Sequence, residues 1–205
     1  MSKSQLGQDL KVLEFYKNKE NGFFIELGAS DGIEFSNTYL LETQYNWKGI
    51  CCEPLPTRYD KLVQNRPNSI CCSKAVYNKS DLVVLFDIAN NFDMFSGISK
   101  DIDLHRPRVD ANKTTIKVQT ISLMDLLDKN SAPTFIDYMS LDTEGSEYEI
   151  LKNFDFNKYI FGLIHIEHNF IEPRRGQIMT LLLSKGYVFI GPNHHDDMFK
   201  HNSVL

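Results

Sequence analysis

The chain has 205 residues, 42% of them hydrophobic and 24% charged, with a formal net charge of -5. That length suits one domain with a substantial core, and the acidic balance argues against nucleic acid or an anionic membrane surface as partner, since both reward a basic face. No apolar run approaches the roughly 18 residues that span a bilayer, and the opening MSKSQLGQDLKVLEFY lacks the unbroken apolar stretch of a secretory leader, so a reducing, cytoplasmic setting is expected.

Residues 1–20 read as an N-terminal helix with Leu6, Leu10 and Leu13 on one face. FFIELGA (23–29) is the first strand, followed by a turn on small residues. KGICCEP (48–54) is the next, and Leu55-Pro56-Thr57 opens a helix carrying Tyr59, Leu62 and Val63, with proline in its first turn. NSICCSKAVY (68–77) and LVVLFDIA (82–89) are again strand-like. Residues 90–114 are polar, contain Gly97 and Pro107, and show weak periodicity. They read as a long loop, either a surface excursion or a wall on the substrate side. TIKVQTI (115–121) is a strand, and Ser122 with Asp125 marks a helix start before Leu126 and Leu127. FIDYMSLDT (135–143), FGLIHIEHN (161–169) and YVFIGPN (187–193) complete the strands. Between the last two, Ile178, Leu181 and Leu182 recur at helical spacing after Glu172-Pro173, and Gly186 ends that helix.

Several strands are apolar on both faces, as central parallel strands are. Their alternation with helices predicts a single α/β domain over 1–205, with a mostly parallel central sheet and helices on both faces. The cysteines form two adjacent pairs, Cys51-Cys52 and Cys71-Cys72, inside strand-like runs. Neighbours on a strand point to opposite faces and no C-x-x-C spacing occurs, so they read as buried thiols rather than metal ligands.

In an open α/β sheet, ligands sit at the carboxyl ends of the strands. The first strand ends in Gly28-Ala29-Ser30-Asp31-Gly32 and carries an acid, Glu26, within its apolar run. The pattern lacks both the G-x-G-x-x-G of a pyrophosphate turn and the Gly-Lys-Ser/Thr of a P-loop. A carboxylate there suits an amine-bearing ligand, although a plain tight turn explains the two glycines as well. About twenty residues on, Glu53 closes the second strand, where an acid typically accepts from ribose hydroxyls. Together they suggest an amino-bearing nucleoside without phosphate, for which S-adenosylmethionine is the candidate.

At this point the chain resembles the FkbM family of S-adenosylmethionine-dependent methyltransferases. The resemblance rests on SQLGQD (4–9), FFIELGASDGIEFSNT (23–38), WKGICCEP (47–54), SKAVYN (73–78), MSLDTEGSEYEILKNF (139–154) and IHIEHN (164–169). It implies a Rossmann-like class I methyltransferase fold and methyl transfer to a hydroxyl of a sugar or glycan, for example a deoxyhexose such as rhamnose, or of a similar hydroxylated small molecule. By the same resemblance Glu26, Gly28, Ala29, Asp31 and Gly32 line the methionine part of the cofactor and Ser36 and Asn37 hold its carboxylate. Glu53, with Pro54, holds the ribose, and Ser73 and Ala75 sit by the adenine. Gln5, Gln8 and Asp9 belong near the cofactor mouth, or to a solvated helix face.

The stretch SLDTEGSEYEIL places Asp142 and Glu144 two apart at a strand end, hence on one side. Gly145 breaks the strand and Ser146 can cap a helix through Ile150 and Leu151. The next strand delivers Glu167 and His168 at its own end. Carboxylates gathered so closely repel unless a cation or proton separates them. Two readings stay open. Asp142, Glu167 and His168 can hold Mg²⁺ or Mn²⁺ as in metal-dependent sugar O-methyltransferases, or His168 or Glu144, near Asp142, takes the proton as general base. A third makes Glu144 and Glu147 ordinary acids at a helix start. His165 reads as a core histidine, NHHDD (193–197) as a solvated turn that borders the mouth, and Tyr45 and Trp47 as packing. The alternatives to an O-methyltransferase are a non-catalytic binding module on the same fold or a methyltransferase for nucleic acid. The acidic balance and the missing N-P-P-Y-type motif disfavour the latter.

Overall fold

The computed structural model describes residues 1–204. In chain order the elements are α1 (Gln8–Phe15), β1 (Phe23–Leu27), α2 (Tyr39–Tyr45), β2 (Lys48–Cys52), α3 (Pro56–Asn65), β3 (Ile70–Cys72), β4 (Ala75–Tyr77), β5 (Val83–Ala89), β6 (Gly97–Ile98), α4 (Arg106–Ala111), β7 (Lys113–Ser122), α5 (Leu123–Lys129), β8 (Phe135–Leu141), α6 (Glu147–Leu151), β9 (Ile160–Glu167), α7 (Arg174–Ser184), β10 (Tyr187–Asn193) and β11 (Asp196–His201). Seven strands form the central sheet in the order β10-β11-β9-β8-β1-β2-β3. The pairs from β9 through β3 are parallel, and β11 runs antiparallel to both of its neighbours. This is the mostly parallel α/β sheet that the strand–helix alternation predicts, in the class I methyltransferase form that the family resemblance implies.

Period-two alternation distributes the apolar residues of this sheet between two cores. Ile25, Leu27, Ile50, Met139, Leu141, Ile164 and Ile166 point to one face, where α5, α6 and α7 bury Leu126, Leu151 and Leu182. Phe24, Cys51, Tyr138 and Leu163 point to the other, against Val12, Leu13, Leu40, Leu41 and Leu62 of α1, α2 and α3. Cys51 and Cys52 therefore serve opposite cores, and all four cysteines are free thiols.

Several expectations are corrected. The run 68–77 is two strands: the chain leaves the central sheet after Cys72, and β4 joins a second, four-stranded sheet of order β4-β7-β5-β6. In that sheet β5 and β7 pair antiparallel, over a small core of Leu55, Tyr77, Phe86, Ile98 and Val118. The 90–114 loop contains β6 and α4, with Val109 buried against Ala89 and Ile102. The N-terminal helix is shorter than 1–20, and Leu10 faces solvent because Val12 and Leu13 supply the buried face. α2 and β11 have no counterpart among the sequence-predicted elements. NHHDD is a turn only at His194 and His195, since Asn193 ends β10 and Asp196 and Asp197 begin β11. Ser122 caps α5 by accepting from the Asp125 N–H. No helix of the described residues is long and apolar enough to cross a membrane.

One buried cation ties the turn after β1 to α2 and α3. Arg66, at 0% exposure, closes α3. Its Nε donates to Glu42 of α2 at 2.6 Å. Its Nη1 donates to Glu26 at 3.3 Å, to the Gly32 carbonyl at 3.2 Å and to the Ser36 hydroxyl at 3.1 Å, and its Nη2 donates to Thr38 at 2.8 Å. Removing a buried charge while its partners remain costs about 3–5 kcal/mol, because uncompensated ions are left in the interior. Arg66→Met is therefore expected to lower the urea-unfolding free energy by about that amount. A loss under about 1 kcal/mol would show that Glu26 and Glu42 do not depend on the pairing.

Candidate active site

The carboxyl ends of β1, β2, β8 and β9 meet at one edge of the sheet. Gly28 makes the closest approach: its φ is +84°, and a Cβ there would lie 1.8 Å from the Asp142 carbonyl oxygen. Only glycine allows both. The Gly28 and Ala29 N–H groups donate to the Cys52 carbonyl and Asp142 N–H donates to Leu27, so the three strand ends are mutually fixed. Above them opens a cavity of about 340 Å³, the size range of small-molecule sites.

One half of this cavity carries most of the residues expected to hold a cofactor. Gly28, Ala29, Ser36, Asn37, Glu53, Pro54 and Ala75 line it, together with Leu55 and Val76. Glu53 accepts from the Ser30 and Leu55 N–H groups at 2.9 and 2.8 Å, which aims the carboxylate. Burial pushes its carboxyl up to about 7, against the opposing pull of those N–H bonds and of Arg58. Asn37 donates to Ser140 through Nδ2, while its buried Oδ1 has no partner, so it is free to accept from a ligand amine rather than to hold the carboxylate that the resemblance implies.

Five expected cofactor residues are placed differently. Glu26 reaches the cavity lining, but its oxygens are taken up by Ser36, by the Asn37 N–H at 2.6 Å, by Thr38 and by Arg66. The cation it meets is internal, so it organises the 36–38 segment rather than presenting a free charge. Asp31 accepts from the Ile33 and Glu34 N–H groups and holds the turn. Gly32 packs against Leu62 and Arg66, which a Cβ would meet at 2.7 and 2.6 Å. Gln8 donates to Asp196 and accepts from Leu6, tying α1 to β11, while Gln5 is the N-terminal residue that reaches the cavity. Ser73 lies at the exit from β3, outside the lining, and its neighbours Lys74 and Ala75 take that place.

The other half of the cavity is acidic. Asp142, Glu144 and Glu167 bring carboxylate oxygens within 4.8 Å of one another. Asp142 opens into the recess, whereas Glu144 is buried and held at φ +57°, a conformation rare for such a residue and found most at functional sites. The turn that bears them is clamped by buried Glu147, which accepts from the Thr143 and Gly145 N–H groups at 2.9 and 3.1 Å. Glu147 is thus the ordinary acid at a helix start, and Glu144 is not. Ser146 sits at the N-cap of α6, but its hydroxyl makes no capping bond. Desolvation in the recess, then the charges of Asp196 and Glu147, push the Asp142 carboxyl up to about 7. Burial, followed by the charge of Asp142, raises those of Glu144 and Glu167.

His168 does not join this group. It follows Glu167 directly and so points to the opposite side, where its Nδ1 accepts from the Phe170 N–H at 2.9 Å and its Nε2 lies 3.5 Å from Asp197. The expected set Asp142, Glu167 and His168 is replaced by Asp142, Glu144 and Glu167. His165 is a core residue, edge-on to Tyr138, and burial lowers its pKa to about 3, so it stays neutral although neither ring nitrogen has a partner.

The cavity mouth is built by residues that carried no individual signal in the sequence. The 90–114 segment contributes Met94, Phe95, Leu104, His105 and Arg108, and the β10–β11 turn contributes His195. The length and polarity of 90–114 pointed to a wall here, and the NHHDD run was expected to border the mouth.

The acidic group has a measurable consequence. Carboxyls whose pKa is raised on folding bind protons that the unfolded chain has released. Their stabilisation is complete below about pH 4 and is lost as pH rises through about 7. Asp142→Asn, neutral throughout, is expected to match wild type near pH 4. In chelator at pH 8 it should unfold with on the order of 1 kcal/mol more stability, discounted for the water that reaches Asp142. A wild-type advantage at pH 8 would contradict crowding of these carboxylates.

Comparison with known proteins accords with this geometry. The family model described as the methyltransferase FkbM domain matches residues 26–189. No curated protein matches the chain. Among solved structures, the chain is similar to a putative RNA methyltransferase, PH1948, from Pyrococcus horikoshii, at 13% identity and a TM-score of 0.50, over 97% of this chain and 83% of that one. It is also similar to the METTL16 methyltransferase domain, at 11% identity and a TM-score of 0.52, over 95% and 65% of the two chains. A precorrin-6y C5,15-methyltransferase from Geobacter metallireducens matches at 10% identity and a TM-score of 0.50, over 93% and 84%. At these identities the structures establish the fold, and the family match spans most of the sequence: the chain belongs to the FkbM family of S-adenosylmethionine-dependent methyltransferases.

Proposed function

We propose that the chain methylates a hydroxyl oxygen of a sugar, a glycan or a similar hydroxylated small molecule, and that nucleic acid and membrane are not its partners. The observation that carries this reading is the acidic group on the acceptor side of the cavity. A sugar hydroxyl is a poor nucleophile until its proton has somewhere to go. S-adenosylmethionine, when bound, supplies an electrophilic methyl group whose carbon–sulfur bond breaks as the carbon–oxygen bond forms. Glu53 would orient the ribose and Asn37 the amine, which aligns the reacting atoms and lowers the barrier by orientation. The hydroxyl proton passes to a carboxylate oxygen of Asp142 or Glu144, and a carboxyl raised to about 7 is poised as a base at neutral pH.

Asp142, Glu144 and Glu167 are also an all-oxygen donor set of the kind Mg²⁺ and Mn²⁺ prefer. A cation there would relieve their repulsion and lower the pKa of the acceptor hydroxyl. A net charge of -5 favours a small acceptor over nucleic acid, and four free thiols fit a cytoplasmic setting.

Glu53→Ala is expected to weaken S-adenosylhomocysteine binding at least about tenfold by calorimetry. Unchanged affinity would remove Glu53 from the ribose site. Asp142→Asn is expected to keep that affinity within about twofold and to reduce kcat by roughly 10² or more. Turnover equal to wild type would deny Asp142 its role. Activity lost in chelator and restored by Mn²⁺ would assign the carboxylates to a cation, and activity unaffected by chelation would leave them as the base.

A further inference from the structure

Six arginines occur in the chain. Five are paired with carboxylates: Arg58 with Asp93, Arg66 with Glu42, Arg106 with Asp87, Arg174 with Asp103 and Arg175 with Asp197. Arg108 has no carboxylate partner among the described residues, in a chain where acids outnumber Lys and Arg by 27 to 22. It lines the mouth of the cavity.

Its placement is built rather than incidental. The guanidinium carbon lies 5.3 Å from the centroid of the Phe95 ring, and the same ring stacks on His105 at 3.8 Å between centroids and 22° between planes. Stacking by a guanidinium occupies its face and leaves its N–H edge open to a bidentate acceptor. The helix beneath is pinned: Arg106 bonds Asp87 at 3.0 Å and Val109 is fully buried against Ala89 and Ile102. The cavity is therefore zoned by charge, with three carboxylates on its floor and an unpaired cation at its mouth. The other two cations of the lining, Arg58 and Lys74, are paired with Asp93 and Asp81, so an anionic group repelled from the floor meets Arg108 as the cation without a carboxylate.

We propose that the acceptor carries an anionic group, a phosphate or a carboxylate on the sugar, which Arg108 receives while the hydroxyl faces Asp142 and Glu144. This deepens the methyl-transfer reading and rests on it. Arg108 acts as a specificity residue: it holds the end of the acceptor remote from the reacting oxygen.

The test is calorimetric titration of the S-adenosylhomocysteine-loaded chain with glucose 1-phosphate, glucuronate and neutral glucose. At least one anion is expected to bind about tenfold or more tighter than glucose, with the advantage shrinking as salt rises. The tighter of the two tells phosphate from carboxylate. Arg108→Gln should erase the advantage, a loss of roughly 10- to 100-fold for a charge-assisted pair, while Arg108→Lys retains part of it. The proposal is overturned if neither anion outbinds glucose or if the advantage survives in Arg108→Gln. It is equally overturned if that variant loses S-adenosylhomocysteine affinity to the same degree, which would place Arg108 at the cofactor. S-adenosylhomocysteine binding by wild type, read in the same experiment, tests the methyl-transfer reading separately.

Discussion

The buried guanidinium of Arg66 is the interaction on which the half of the cavity lined by Gly28, Asn37 and Glu53 depends. It is fully enclosed and neutralised by two acids from different elements, Glu26 on β1 and Glu42 on α2. Low dielectric makes such a group costly alone and strongly directional when paired. Because it also donates to the Gly32 carbonyl, Ser36 and Thr38, one cation sets the path of the chain from the end of β1 to the start of α2. That path places Asn37 at the cavity with its Oδ1 free, and it lets Gly28 approach Asp142. An acid inside an apolar strand is thereby explained: Glu26 is the counter-ion that lets the turn be rigid.

The acidic half is organised by a different device. Glu147 accepts from the backbone of the turn it follows, and this clamp holds Glu144 in a left-handed conformation. Parallel pairing of β8 with β9 then brings Glu167 alongside. The two halves are linked through the close approach of Gly28 to Asp142 and the bond from Asp142 N–H to the Leu27 carbonyl.

The second sheet reaches the central core only through Val76 of β4 and Ile121 of β7, yet it determines the mouth. Its strands frame the 90–114 segment, and the burial of Val109, Ile102 and Ala89 fixes α4 over the strand ends. The stack of Phe95, His105 and Arg108 is the result. The mouth is thus built on an addition to the central sheet, the usual arrangement when a rigid scaffold carries loops that form its walls.

Taken alone, the sequence determined the α/β class, most strands and the identity of the strand-end groups. Period-two and helical spacing, Pro56 at a helix start and the acids closing apolar runs are local signals. It also marked Glu53, Asp142, Glu144, Glu167 and His168 as residues of one edge, because strand ends in a parallel sheet converge, whereas Asn37 was implied only by the family resemblance. What it left open depends on partners far along the chain. Whether Glu26 faces a ligand or an internal cation was decided by Arg66, forty residues away. His168 was excluded from the acidic group by the side alternation of β9 together with the position of Asp197 on β11, a strand with no clear local signature. The split of 68–77 between two sheets, and the selection of Arg108 as the arginine without an acid, likewise follow from tertiary pairing. Charge partners and sheet membership are properties of packing, and spacing along the chain does not encode them.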